Sequence, residues 1–148
     1  MNDYIRLGHE IGLDWNYVLT KDVVFNFGNK FFVPCEFKND WCWIRMEGDE
    51  LFLTAYKDYA WDGCSVVPDF EGTIVASIPH DIFYQFEKEL AQAFGWSGTK
   101  VLSFANKIFK KAMEQTDTNC IVKYTYYWGV VVFGLGYRRI KQLFTSIF

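Results

Sequence analysis

The chain has 148 residues, of which 51% are hydrophobic and 20% aromatic, and its formal net charge is −3. A chain of this length is expected to form one domain, 1–148, that buries a core without disulfides or structural metals. The small negative charge gives no electrostatic reason to expect nucleic acid as a partner.

The strand-rich part of the sequence covers residues 1–60. Aromatic and β-branched runs alternate there with the turn pairs Gly28-Asn29, Asn39-Asp40 and Gly48-Asp49. The runs are VVFNF, FFVPCEF, WCWIRM and LFLTAY. Their spacing of about ten residues predicts a meander of about four or five antiparallel strands. Pro34 lacks an N–H donor, so the second run predicts an edge strand or a bulge.

The helix-rich part covers 73–148. Ser77 can cap a helix over about 77–94, with Pro79 tolerated in its first turn. A start at Thr73 would instead place Pro79 inside the helix and kink it. A second helix is predicted over about 99–115, antiparallel to the first because the connection is short. The apolar stripes of the two helices are expected to be buried, and they contain Phe83, Leu90, Val101, Ala105, Ile108 and Phe109.

A third helical region is predicted from about Asn119 to the C-terminus, interrupted near Gly134. The uncharged run Tyr124–Tyr137 is shorter than the roughly 20 residues of a membrane-spanning helix. We interpret it as a buried helix that packs Trp128, Val131 and Phe133 on the hairpin or the sheet, with a membrane-surface segment as the alternative. The predicted fold is therefore α+β, with an N-terminal antiparallel β-meander, an antiparallel helical hairpin and a C-terminal helical segment.

The cysteines and the N-terminus bear on location. Cys35, Cys42, Cys64 and Cys120 form no CxxC pair and no repeated spacing, so we predict no zinc site or other resident cofactor. The stretch MNDYIRLGHE has acidic residues and no apolar core of a signal peptide. We expect reduced thiols in a cytoplasm.

The polar residues of the helical hairpin form the candidate site. His80 and Tyr84 lie one helical turn apart and share a face, while Asn106 borders the stripe of the next helix. We expect the three to converge at the rim of the packed helices. A histidine held by a hydrogen-bonded partner is what general-base catalysis needs. The alternative is that the three side chains only satisfy one another at the edge of the core.

Four segments resemble, in order, an uncharacterised domain family of tailed bacteriophages and prophages. They are YAWDGCS, PHDIFYQ, FANKIFKKAM and YYWGVVVFG, and they span about residues 59–137. The family pattern has a WDG-like or T-D-x-x-S element, an H-D-x-L-Y helix and an A-D-x-x-F-x-x-x-M helix, followed by a segment with tyrosine and tryptophan. The resemblance implies a phage origin, as a virion component or a host-directed accessory protein. Other phage or host proteins would be its partners, in the host cytoplasm or in the virion.

The helix pair is also similar to secreted phospholipases of the A-two type, which are calcium-assisted lipid esterases. This similarity implies that His80 would activate water, Asp81 would bind calcium, and Tyr84 would brace the partner on the second helix. The sequence departs from that family at Asn106, where an aspartate is expected. It also lacks the glycine-rich loop with paired cysteines that supplies calcium-binding carbonyls.

Two further residues complete the candidate set. Because Asn106 lacks the charge that the second resemblance implies, Asp62 in the WDGCS turn is the nearby acid best placed to supply it. We predict that this turn folds over the helices and brings Asp62 close to His80, where it would fix the tautomer of the ring. In another alternative Cys64, His80 and Asn106 act as nucleophile, base and orienting residue of a cell-wall amidase or peptidase. A small buried thiol and ordinary turn residues would also account for this segment.

Overall fold

The computed structural model describes residues 3–6, 17–63 and 71–115. They form two antiparallel sheets followed by three helices, so the α+β class predicted from the sequence is confirmed. The elements are β1 (Tyr4–Arg6), β2 (Tyr17–Leu19), β3 (Val23–Asn26), β4 (Phe37–Lys38), β5 (Cys42–Glu47), β6 (Glu50–Ala55), β7 (Ala60–Trp61), α1 (Glu71–Gln85), α2 (Glu87–Phe94) and α3 (Gly98–Glu114).

The larger sheet has the strand order β3-β6-β5-β4. Strands β4, β5 and β6 follow one another as a meander, and β3 pairs with the other edge of β6. Phe25 and Ile44 both lie opposite Leu53, and these three side chains point into the core. The run that contains Pro34 forms a strand only at its end, in β4 at the sheet edge, as expected for a residue without an N–H.

The smaller sheet, with the order β1-β2-β7, was not predicted. It pairs Tyr17 with Trp61 across more than forty positions of the chain. Periodicity and turn pairs report local strand pairing only, so they contain no signal for this contact. Trp61 is fully buried there, and the rings of Tyr4, Tyr17 and Tyr59 pack on its indole with centroids 5.5–6.1 Å away.

Helix α1 begins at Glu71, so the predicted start with Ser77 as the cap is wrong. The Ser77 hydroxyl is buried and donates to the Ile74 carbonyl oxygen at 2.7 Å, while it accepts from the Trp61 indole N–H at 3.0 Å. It is therefore used inside the helix and not at its end. Pro79 lies within α1, the arrangement that the alternative start at Thr73 anticipated.

The predicted first helix is two helices that meet at Phe86. The Phe86 N–H donates to Ile82 and the Phe86 carbonyl accepts from Leu90, so the hydrogen-bond ladder continues through the break. Helix α2 ends at Phe94 and is followed by the capping residue Gly95, whose φ of 66° is left-handed and favours glycine. Ser97 caps α3 by accepting from the Lys100 N–H at 3.1 Å.

The buried helical stripe is confirmed, because all six residues predicted to face the core have an exposed fraction of 0%. The predicted third helical region, including Trp128, Val131 and Phe133, lies outside the described residues.

Shortening a side chain in this buried stripe should destabilise the fold far more than shortening one on the exposed side of the same helix. We expect Ile108→Ala to lower the free energy of unfolding by about 2–5 kcal/mol, because the deletion leaves a cavity in a close-packed interior. The neighbouring exposed Lys107→Ala should change it by less than about 0.5 kcal/mol. Urea unfolding measures both, and equal midpoints for the two variants would contradict the packing described.

Candidate functional site

Helices α1 and α3 pack side by side and run in opposite directions. The His80 ring lies 5.4 Å from the Phe109 ring, and the Phe83 ring lies 5.3 Å from the Phe104 ring. A later residue of α1 therefore contacts an earlier residue of α3. This antiparallel arrangement is the one expected from the short connection between the helices.

His80, Tyr84 and Asn106 come together between these helices, as the sequence predicts. The Asn106 Oδ1 atom lies 3.3 Å from His80 Nε2 and accepts a hydrogen bond of 3.3 Å from the Tyr84 hydroxyl. The rings of His80 and Tyr84 also pack on each other, with centroids 4.2 Å apart. One amide oxygen on α3 therefore joins two side chains of α1.

The other nitrogen of the His80 ring faces a carboxylate. Its Nδ1 atom lies 3.1 Å from Asp81 Oδ1, and the side chains of His80 and Asp81 are 12% and 18% exposed. An ionised carboxylate only accepts, so Nδ1 is the donor in this contact. Both ring nitrogens thus point at groups of the protein itself.

Asp81 was predicted to bind calcium. Calcium takes 6–8 oxygen ligands, and across residues 3–6, 17–63 and 71–115 there is no group of three or more His, Cys, Asp or Glu side chains that could hold a metal ion. The Asp81 carboxylate is already at hydrogen-bond distance from His80. Calcium binding at Asp81 stays a prediction.

Asp62 follows β7 and is half-buried, next to Gly63 with a φ of 74°. Burial raises the pKa of Tyr59 well above its usual value, and the carboxylates of Asp81 and Asp62 raise it further. Both acids therefore lie near the Tyr59 hydroxyl. The carboxylate at hydrogen-bond distance from the ring is that of Asp81, and the approach of Asp62 to His80 stays a prediction.

The cysteine alternative is not tested, because Cys64 lies outside the described residues. Of the two cysteines inside them, Cys35 is exposed and its thiol donates to the Ala93 carbonyl at 3.2 Å. Cys42 is buried in the core, and burial raises the pKa of its thiol to about 12. Such a thiol is almost wholly protonated at neutral pH and is a poor nucleophile.

Sequence reasoning missed a small cavity of about 210 Å³ beside α1. It is lined by Trp41, Asp58, Tyr59, Ala60 and Gln85, which come from three separate stretches of chain. The sequence indicates only that Gln85 lies one helical turn after Asp81 and two turns after Ser77. These three residues share a face of α1, and the Gln85 amide donates to the Ala60 carbonyl oxygen at 3.5 Å.

A scan against protein-family models and searches of curated proteins and of solved structures returned no match. Within the described part of the chain, none of the helices is both long and apolar enough to cross a bilayer.

The Asn106 amide should be energetically coupled to Tyr84. Asn106→Ala leaves the Tyr84 hydroxyl without its acceptor and removes the contact with His80 Nε2, so it should cost about 1–3 kcal/mol, whereas Tyr84→Phe should cost about 0.5–1.5 kcal/mol. In the Tyr84→Phe background the same Asn106→Ala change should cost less, and a double-mutant cycle by urea unfolding measures the difference. Additive effects would show that the 3.3 Å contact contributes nothing to stability.

The buried Tyr59 hydroxyl should make the fold sensitive to alkali. Among the described residues this hydroxyl has no hydrogen-bond partner. The unfolded chain loses the proton near pH 10, but the folded chain retains it because its pKa is raised. Stability should therefore fall as the pH rises above about 10.

In Tyr59→Phe this alkaline loss should be smaller, and stability at pH 7 should be equal or higher because a buried polar group is removed. Thermal unfolding across this pH range measures both effects. A variant that is clearly less stable at pH 7 would show that the hydroxyl has a partner.

Proposed function

We propose that this protein is an interaction domain of a tailed phage or prophage, either a virion component or a host-directed accessory protein. The phage origin is supported by the ordered resemblance of the segments from about residue 59 to 137. In this proposal His80, Tyr84 and Asn106 stabilise the helix pair, and the protein acts by contacting another phage or host protein in the host cytoplasm or the virion.

The observation that carries this proposal is the use of both nitrogens of the His80 ring. One lies 3.1 Å from Asp81 and the other 3.3 Å from Asn106. A general base needs a ring nitrogen whose lone pair is directed at the reactant. With Nδ1 donating to Asp81, the lone pair of the neutral ring is on Nε2. A reactant would first have to displace Asn106 from Nε2, so the arrangement suits a structural clamp better than a reactive centre.

The surface of the described residues supports a role in binding. Its large exposed apolar side chains include Phe32 at 67% and Trp41 at 43% exposure. Aromatic residues are enriched in protein interfaces, because they bury much area for little conformational entropy. Neither side chain belongs to the His80 network.

A hydrolase is the second candidate, as a lipid esterase or, through Cys64, a cell-wall amidase. The observation in its favour is that the His80 and Asp81 side chains are partly exposed, so a small reactant has some access to them. Asn106 weakens this candidate, since an asparagine orients an imidazole but does not stabilise its charged form by opposite charge.

The two candidates respond differently to His80→Gln, which removes the base and keeps a polar side chain. Cells that produce the protein are treated with a cross-linker, and the neighbours are identified by mass spectrometry, with purified virions analysed in parallel. We expect one defined neighbour, captured equally well by the native protein and by His80→Gln once thermal unfolding has shown the variant to be folded.

Absence of any defined neighbour would contradict the interaction domain. Hydrolysis of phosphatidylcholine vesicles with calcium, or of p-nitrophenyl esters, that disappears in His80→Gln would establish the hydrolase instead. Detection in virions separates the virion component from the accessory protein.

A further inference from the structure

The cavity beside α1 has the size of a site for one side chain. Its volume of about 210 Å³ is below the roughly 300–1,000 Å³ of sites that enclose a small-molecule ligand. It opens next to Trp41, one of the large apolar side chains that the fold leaves exposed. An exposed indole beside a cavity is a typical anchor point for a partner.

The backbone of Trp41 is held in place by its own turn. The Asn39 side-chain oxygen accepts from the backbone N–H groups of Trp41 at 2.8 Å and Cys42 at 2.9 Å. The Trp41 carbonyl accepts from the Tyr56 N–H at 3.0 Å, which ties the turn to the end of β6. A wall fixed before binding lowers the entropy cost of association.

Asp58 provides the charge of the cavity. It is the one non-glycine residue with positive φ among the described residues, at 71°, and its N–H donates to the Leu19 carbonyl at 2.9 Å. This bond keeps the backbone in the left-handed region, which aspartate tolerates better than most residues. Asp58 is exposed and lines the cavity, and its backbone is fixed by this bond.

The charge of Asp58 is not neutralised by another residue of the cavity lining. Among the described residues that line the cavity, none is basic. An aromatic ring and a carboxylate make a site that favours a cation.

The chain contains its own example of this recognition on the outer face of the larger sheet. The Arg45 guanidinium stacks on Trp43 at 3.9 Å from the ring centre and pairs with the Glu47 carboxylate at 2.6 Å. A planar guanidinium can stack on an indole and pair with a carboxylate at the same time.

We propose that the cavity binds an arginine side chain of a partner protein, with the guanidinium on Trp41 and paired with Asp58. This inference rests on the proposed function, since it names the chemistry of the partner that the interaction domain contacts. Tyr59, Ala60 and Gln85 form the rest of the lining, which the aliphatic part of the arginine would contact.

The test uses Nα-acetyl-arginine N-methylamide as the probe, with the citrulline analogue as a neutral control of the same shape. Binding to the ¹⁵N-labelled full chain is followed by the NMR signal of the Trp41 indole N–H, assigned through Trp41→Phe. We expect a saturable shift with a dissociation constant of about 1–10 mM for the arginine probe, as one side chain supplies the contacts. The shift with citrulline should be absent or at least about tenfold weaker.

Asp58→Asn is the central variant, because asparagine retains the shape and the left-handed backbone but lacks the charge. It should weaken the arginine probe about tenfold or more, while Asp49→Asn, the same charge change at the far end of β5, should leave binding unchanged. Equal shifts with arginine and citrulline, equal binding by the two variants, or no shift up to about 50 mM would each overturn the proposal.

The cross-linking experiment keeps the two proposals separate. If the defined neighbour is captured and the arginine probe does not bind, the cavity is not the contact site but the interaction domain stands. If the probe binds and no neighbour is captured, the arginine site stands and the proposed function is wrong.

Discussion

The buried hydrogen bond from the Trp61 indole to the Ser77 hydroxyl determines where the first helix lies. An indole N–H with no solvent exposure costs free energy if it has no acceptor, and Ser77 supplies that acceptor at 3.0 Å. The bond joins the last strand of the smaller sheet to the middle of α1. Since Trp61 is itself in contact with three tyrosine rings, the helix is positioned against an aromatic part of the core.

This bond fixes the orientation of α1 about its own axis, and that orientation determines which neighbours its polar side chains face. Ser77, Asp81 and Gln85 lie in one row at intervals of four residues, and this row faces the smaller sheet and the cavity. His80 and Tyr84 lie in the adjacent row and therefore face Asn106 on α3. One helix thus contributes to a closed polar network on one side and to an open cavity on the other.

The sequence predicts the features that depend on local periodicity and fails where the fold depends on distant contacts. The spacing of His80 and Tyr84 and the apolar stripe of α3 predict their convergence and burial well. The start of α1 is missed because Ser77 has the features of a cap, whereas its hydroxyl is engaged by Trp61, sixteen positions earlier. The cavity is missed because Trp41 and Asp58 form no motif and meet only through the pairing of strands.

The pairing of β3 has a consequence for self-association. β3 is an edge strand of four residues. Its hydrogen bonds to β6 use alternate residues, so the backbone N–H and C=O groups of Val24 and Asn26 point away from the sheet. The Gln115 side chain just beyond α3 donates to the Asn26 carbonyl oxygen at 2.6 Å. One of the few outward-pointing carbonyl oxygens of β3 is therefore already hydrogen-bonded. A strand from a second molecule has fewer free backbone groups with which to pair. The residue after a helix thereby protects this one edge of the larger sheet from pairing with a second molecule.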